Sequence, residues 1–409
     1  MRRGRRRSQF ERMPQAMNHR ITSMAARWLP LALLPLRAAT ACTCPDIPAC
    51  TVADLVGEDC SVSADGVLAA DLRVLFTETL ATLDLDSITR VAGDVEISDN
   101  AAISALALGS LSEIDGDFIV ERNAMLVELS LPAFVGSAVP CFPLSCEIVV
   151  QQNSALETLS LPALVHSERD IQVGGSNFQS GNPALFTVDM SALVTAATLD
   201  FTGNPLMEEL LLGSLSTLTG YFYIGSTGIG SFNNLPSLEL PNLVSVGQYF
   251  FLQYLEEMEH LDLSALQSTG SYMIISAAAS LVNFELPAFE SNGGQIAGRG
   301  VSFDGPWETL ESMSLPSLTE VDGTVYVRPN NGLTDLAINF SGLNGAQMCV
   351  RANNIALGTD GAPCNFPVRG ADEPAEWQQA LAAVVRRQQL RRKLRRSNPE
   401  SNNRGTILL

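Results

Sequence analysis

Lysine is nearly absent from this chain. Lys393 is the single one among 409 residues, and histidine occurs only three times. Arginine does not make up the difference, because 25 basic residues face 44 acidic ones, for a net charge of −19. A chain of that sign repels phosphate backbones, which argues against nucleic acid as a partner. Long apolar runs are missing too, and none approaches the roughly 20 residues that a membrane-spanning helix requires. Catalytic motifs are equally scarce. There is no Walker loop, no Gly-x-Ser-x-Gly and no His-Glu-x-x-His, and His19, His166 and His260 have no matched Ser or Cys partner at a motif spacing. What is present is apolar residues, at 46% of the chain, too many for a disordered protein.

The charge is unevenly distributed. Residues 1–41 hold nine arginines and one acid, and residues 371–409 hold eight basic residues and four acids. The intervening 42–370 carries eight arginines against 39 acids, a net −31. The basic start reads as a leader. Arg27 precedes an apolar stretch over 28–36, and Ala39-Thr40-Ala41 supplies a small-x-small cleavage site, the order of a secretory signal peptide. All eight cysteines lie beyond it, an even number that suits disulfides in an exported chain. Cys141–Cys146 and Cys349–Cys364 are the expected local pairs, while Cys42, Cys44, Cys50 and Cys60 leave three connectivities open. Cys42 directly after the cleavage site also admits a lipid anchor of the bacterial lipoprotein kind, although Ala39 stands where leucine is usual.

A repeat fills the body. Leu111, Ile114, Gly116, Phe118, Val120, Asn123, Leu126, Leu129, Leu131 and Pro132 define one unit, and the same spacing returns from Ile88 and from Leu318. The paired apolar step recurs at Leu159/Leu161, Val188/Met190, Leu210/Leu212, Leu238/Leu240, Leu261/Leu263, Phe284/Leu286 and Met313/Leu315. The period is 22–23 residues, stretching to 28–30 where a loop is inserted. Each unit holds two short stretches of period-2 alternation, which a single unit cannot bury and a stack can. The expected fold is all-β: a right-handed parallel β-solenoid of about eleven coils. Asparagine at the turn can satisfy turn backbone groups and stack into a side-chain ladder, glycine before the first strand suits a tight corner, and proline the end of the second strand. The expected organisation is a leader over 1–41, a Cys-rich cap over 42–81 with a helix at 69–80, a solenoid over 82–366 and a basic tail over 367–409. The tail reads as a helix over 374–396. Three roles remain open for it: a contact with anionic lipid, a return onto the acidic body, or a solvated appendage.

The strand–Asn–x–x–Leu–x–x–Leu–x–Leu–Pro pattern resembles the receptor L domain family, the ligand-binding modules of insulin-receptor-like and EGF-receptor-like proteins and related fungal surface proteins. The resemblance covers about two-thirds of the chain. It implies extracellular recognition or surface structure. The chain departs from the receptors in lacking a Cys-rich domain, a spanning helix and a kinase. Asn339-Phe340-Ser341 is a glycosylation sequon in a eukaryotic host.

Alternation also assigns the outer face. One outward column reads Asp94, Asp117, Glu147, Asp170, Thr198, Tyr221, Tyr249, Tyr272, Gln295, Thr324; its neighbour reads Glu96, Ile119, Val149, Gln172, Asp200, Tyr223, Phe251, Ile274, Ala297, Tyr326. Acid gives way to aromatic along one face. Tyr221, Tyr223, Tyr249, Phe251, Tyr272 and Tyr326 form a candidate binding surface for a protein or carbohydrate ligand. Stacked carboxylates at Asp94, Asp117, Glu147 and Asp170 repel one another unless solvent screens them or a hard cation such as Ca²⁺ bridges them; EF-hand and nonapeptide calcium signatures are absent. No other cofactor is indicated. The sequence predicts a secreted or surface protein without its own chemistry. The enzyme alternative is a polysaccharide lyase or glycoside hydrolase, as other parallel β-helices are.

Overall fold

The computed structural model describes residues 49–51, 62–136, 147–175, 181–225, 234–276, 278–293, 300–304, 309–321, 324–328, 333–338 and 347–350. Strand is the only regular structure among them. Eighteen strands join in one parallel sheet, and shorter sheets of two to four strands form the other sides. This is a parallel β-solenoid. A regular coil places Glu113–Ile114 at a corner, Phe118–Glu121 on the main face and Glu128–Ser130 on the second face, each pairing with its counterpart in the neighbouring coil.

Period-2 alternation decides what is inside. On the main face Leu72, Val95, Phe118, Ile148, Ile171, Leu199, Phe222, Phe250, Met273, Val301 and Val325 follow one another in register, all fully buried. The apolar pairs of the second face, Leu159/Leu161 to Met313/Leu315, point inward against them. The core is one continuous column, in which Phe222 and Phe250 stack with centroids 5.1 Å apart. Pro132, Pro162, Pro241, Pro287 and Pro316 stand in the turns that end the second-face strands.

Corners are made by repeated devices. Asp99, Arg122 and Gln152 end main-face strands in the left-handed region, at φ of 55–60°, and turn the following asparagine inward. Asn100, Asn123, Asn153, Asn182 and Asn204 are all fully buried. Each of the first four donates its side-chain amide to the Oδ1 of the next, at 2.9, 3.2, 3.4 and 3.3 Å, and that same Oδ1 accepts the donor residue's own backbone N–H. The expected ladder is therefore present, and it satisfies turn backbone that no strand partner reaches. The corner glycine answers a different need from the one expected. A Cβ on Gly116 would lie 2.0 Å from Asp94 Oδ1 and one on Gly93 2.1 Å from Asp71 Oδ1, so close approach of the coil below selects glycine.

Two expectations are corrected. The helix expected at 69–80 is absent: Asp71–Leu75 is a strand and the flanking residues are turn or irregular, because Leu72 and Val74 stack on Val95 and Ile97 and tertiary pairing overrides local helix preference. The solenoid also starts before residue 82: Ala49–Thr51 already pairs with Asp71–Leu75, and the last described rung is Gln347–Val350 against Thr324–Arg328. The leader, Cys42, the Cys141–Cys146 pair, Cys364, the sequon and the tail lie outside the described residues. Cys349 is in backbone register with Tyr326.

Candidate functional site

The main face carries the two outward columns. Register joins Asp117 to the rung of Glu147, Glu147 to Asp170 and Asp170 to Thr198, and the second column runs Glu96, Ile119, Val149, Gln172, Asp200, Tyr223, Phe251, Ile274. One step differs from expectation. Ile274 pairs with Ser302 and Ser302 with Tyr326, so the rung is Val301–Asp304; Gln295 and Ala297 fall outside the described residues. The inserted stretch before Val301 delays the alternation, and Val301 and Phe303 take the buried positions.

The aromatic residues form two ranks of stacked rings. Tyr221 lies 4.5 Å from Tyr249 with planes 9° apart, and Tyr249 lies 5.1 Å from Tyr272 with planes 3° apart. Beside them Tyr223 lies 4.9 Å from Phe251 at 8°, and Phe251 meets Tyr272 edge-on at 6.2 Å. All five are half-buried. Tyr326 is half-buried as well, two rungs beyond Ile274, so it does not continue the stack. Strand spacing explains the geometry: rungs about 4.8 Å apart bring flat rings into contact face to face. Ring faces are therefore turned to each other, and the surface presents ring edges and hydroxyls. Burial, with Asp200 and Asp170 nearby, pushes the Tyr221 hydroxyl above its ordinary pKa; burial does the same at Tyr223, Tyr249 and Tyr254. These phenols stay neutral hydrogen-bonding groups at physiological pH.

The carboxylate half is built differently from a cation site. Asp71 Oδ1 accepts the N–H of Asp94 at 2.9 Å, Asp94 Oδ1 that of Asp117 at 2.8 Å, and Asp117 Oδ1 that of Glu147 at 2.8 Å. Among the described residues no group of three or more His, Cys, Asp or Glu is arranged to hold a metal ion. The column considered for calcium at Asp94, Asp117, Glu147 and Asp170 is a carboxylate-to-backbone ladder across its first three members. Burial first, then Asp117 and Asp170, push the Glu147 carboxyl above the usual range. Burial raises Asp200 as well, against hydrogen bonds from the Thr202 N–H and hydroxyl.

Glu147→Gln should therefore stabilise the protein at pH 7 by on the order of a few tenths of a kcal/mol, since the group is solvent-screened. A carboxyl raised on folding favours the folded state below its folded pKa and disfavours it above. The variant's advantage should disappear as pH falls into the glutamate range. Urea midpoints at pH 7 and pH 4 measure this, and an equal difference at both would contradict it.

Sequence reasoning missed Arg169. It is 3% exposed and donates its guanidinium to the Ile114 and Gly116 carbonyls of an earlier coil. In regular coils the corresponding carbonyls take backbone amides: Ala92 N–H donates to Leu68 O, Asp115 N–H to Val91 O and Gly116 N–H to Gly93 O. Arg169 thus brings side-chain donors to a corner where the chain is lengthened. Burial lowers the pKa of its guanidinium, and the nearby Asp117, Asp115 and Asp94 act against that shift. The signal was a spacing. Ser167 pairs with Ala196 and Asp170 with Thr198, so this strand holds one extra residue, a β-bulge that turns Arg169 inward.

No protein-family model matches the chain, and no curated protein matches it. Among solved structures, the crystal structure of the TLR13–ssRNA13 complex aligns over 71% of this chain at 14% identity, with a TM-score of 0.14. The aligned part spans 60% of that chain. A similarity of that score does not bear on function.

Proposed function

We propose that this is a non-catalytic extracellular or cell-surface protein, related to the receptor L domain family, that serves recognition, adhesion or envelope structure by binding a ligand on its main face. The double rank of rings at Tyr221, Tyr223, Tyr249, Phe251 and Tyr272 carries this reading. A parallel sheet holds them at little further entropic cost, and aromatic residues with polar tips dominate contact surfaces of this kind. Their mutual stacking refines the ligand class. A sugar lies best on an open ring face, whereas edges and hydroxyls suit the mixed polar and apolar surface of a protein. The proposed ligand is therefore a protein first and a glycan second.

Surface-protein and glycan arrays probed with the full chain test this. Tyr223→Ala with Phe251→Ala should lower binding to the captured protein by roughly 10- to 100-fold, the range of an interface hot spot. Triple replacement of Tyr221, Tyr249 and Tyr272 by Phe, which keeps the stack and removes hydroxyls, should lower it less. Parent-like binding by a folded double variant would rule the surface out.

A further inference from the structure

We propose that Asn292, together with Thr269, is a positioning residue for Tyr272 and so fixes one end of the ligand surface. The inference rests on the reading of the tyrosine ranks as that surface, and adds to it a buried pair outside the ranks.

The pair stands where the repeat calls for apolar residues. At this corner the inward column runs Ala196, Leu218, Val246, Thr269, Asn292 and Val321 in register, and all six are buried. A hydroxyl and an amide in such a column cost stability unless they make hydrogen bonds. Both make theirs to one group. Thr269 Oγ1 donates to Ser271 O at 3.0 Å, and the Asn292 side-chain amide donates to the same carbonyl and, at 2.8 Å, to Thr269 Oγ1. Asn292 Oδ1 has no partner among the described residues, so the donor half of this side chain is the half in use. A core position that breaks the apolar pattern and leaves a buried acceptor unpaired marks a functional constraint rather than a packing one.

The shared carbonyl opens the rung of Tyr272. It belongs to the peptide between Ser271 and Tyr272, and the plane of that peptide sets the direction in which Tyr272 leaves the chain. In the two coils before it the matching carbonyls accept backbone amides: Gly220 O takes the Gln248 N–H and Gln248 O the Ser271 N–H, both at 2.8 Å. At Ser271 O two side chains from the core supply donors. Tyr249 has a tyrosine on each ring face, whereas Tyr272 ends the rank, and Gly300, level with it on the next rung, does not continue it. An end ring depends on the direction of its own backbone more than a ring held from both sides.

Nitration of the full chain by tetranitromethane, read tyrosine by tyrosine by peptide mass spectrometry, tests this without a ligand. In Asn292→Leu, and in Thr269→Val, which keeps the shape and removes the donor, nitration of Tyr272 should accelerate at least about fivefold, the fold-change equivalent to one lost hydrogen bond. Tyr221 and Tyr326 should react as in the parent, and Thr269→Ser should keep the parent rate at Tyr272. Circular dichroism establishes that each variant is folded, and Thr269→Val decides the matter if Asn292→Leu does not fold. An unchanged Tyr272 rate in folded Thr269→Val would overturn the proposal and leave the ligand reading standing. An equal rise at Tyr221 and Tyr326 would overturn it too, since the pair would then serve general stability. Binding to the protein captured on the array should fall in the variants that free Tyr272. If they bind like the parent while Tyr223→Ala with Phe251→Ala still weakens binding, Tyr272 is no part of the surface and this proposal fails alone. Parent-like binding by all of them would sink both readings.

Discussion

Arg169→Met should cost about 3–5 kcal/mol, the penalty for breaking a buried hydrogen-bonded charge network. The side chain is 3% exposed, and its guanidinium bonds the carbonyls of Ile114 and Gly116. Methionine fills similar volume but donates nothing, so two acceptors at the bulge lose these bonds. The charge also matters. Burial lowers the guanidinium's pKa, against the opposing pull of Asp117, Asp115 and Asp94, and removing the group takes a positive charge from beside Asp117 and Asp94. Arg169→Lys should fall between, since an ammonium keeps the charge but cannot span two carbonyls with a planar fork. Chemical denaturation of the three proteins measures this. A methionine variant as stable as the parent, or a lysine variant no more stable than the methionine one, would show that the charge and its hydrogen bonds contribute nothing.

Asn153→Ala should cost about 2–4 kcal/mol through unsatisfied buried polar groups. Asn153 sits midway along the ladder and is fully buried. Its Oδ1 accepts the Asn123 N–H at 3.0 Å and the Asn123 side-chain amide at 3.2 Å, while its own amide donates to Val120 O at 2.9 Å. Alanine removes the acceptor for two donors in one coil and a donor toward the next. A coil meets only its neighbours, so the damage should be local. Hydrogen exchange should accelerate most at the amides of Asn123 and Leu126 and much less at Phe250. Asn204 ends the described ladder: its Oδ1 accepts the Asn182 N–H and side-chain amide, and its own amide donates to Val173 O at 2.8 Å and Phe201 O at 3.1 Å. Asn204→Ala should therefore cost a similar amount, and a parent-like stability of either variant would mean that the ladder contributes nothing.

These cases show where reading the chain succeeds. Asn123 and its counterparts recur at a constant offset from the strand, which marks a turn residue that can stack in a ladder, while their full burial is set by the stacking of coils. Tyr221, Tyr249 and Tyr272 were assignable to one face because alternation is strict within short strands. Gly116 was legible as a corner but not for the right reason, since the clash partner is Asp94 in the coil below. The strand at Asp71–Leu75 was misread as helix because its five residues are too few to show period 2 against flanking residues that also fit a helix. The rung at Val301–Asp304 was misregistered because an insertion of unannounced length lies before it.

The sequence by itself determined the coil period, the inward columns from Val95 to Met273, the asparagine ladder and the outward ranks in which acid gives way to tyrosine. Each of these follows from spacing within one repeat, where side-chain direction is tied to position along the strand. The tertiary structure alone decided that Arg169 lies buried, that Asp94 and Asp117 bind the next coil's amides, and that the tyrosines stack ring on ring. Those depend on which rung lies against which, at about 4.8 Å, and on where bulges and insertions shift that register. Spacing along one chain does not contain that distance; stacking creates it.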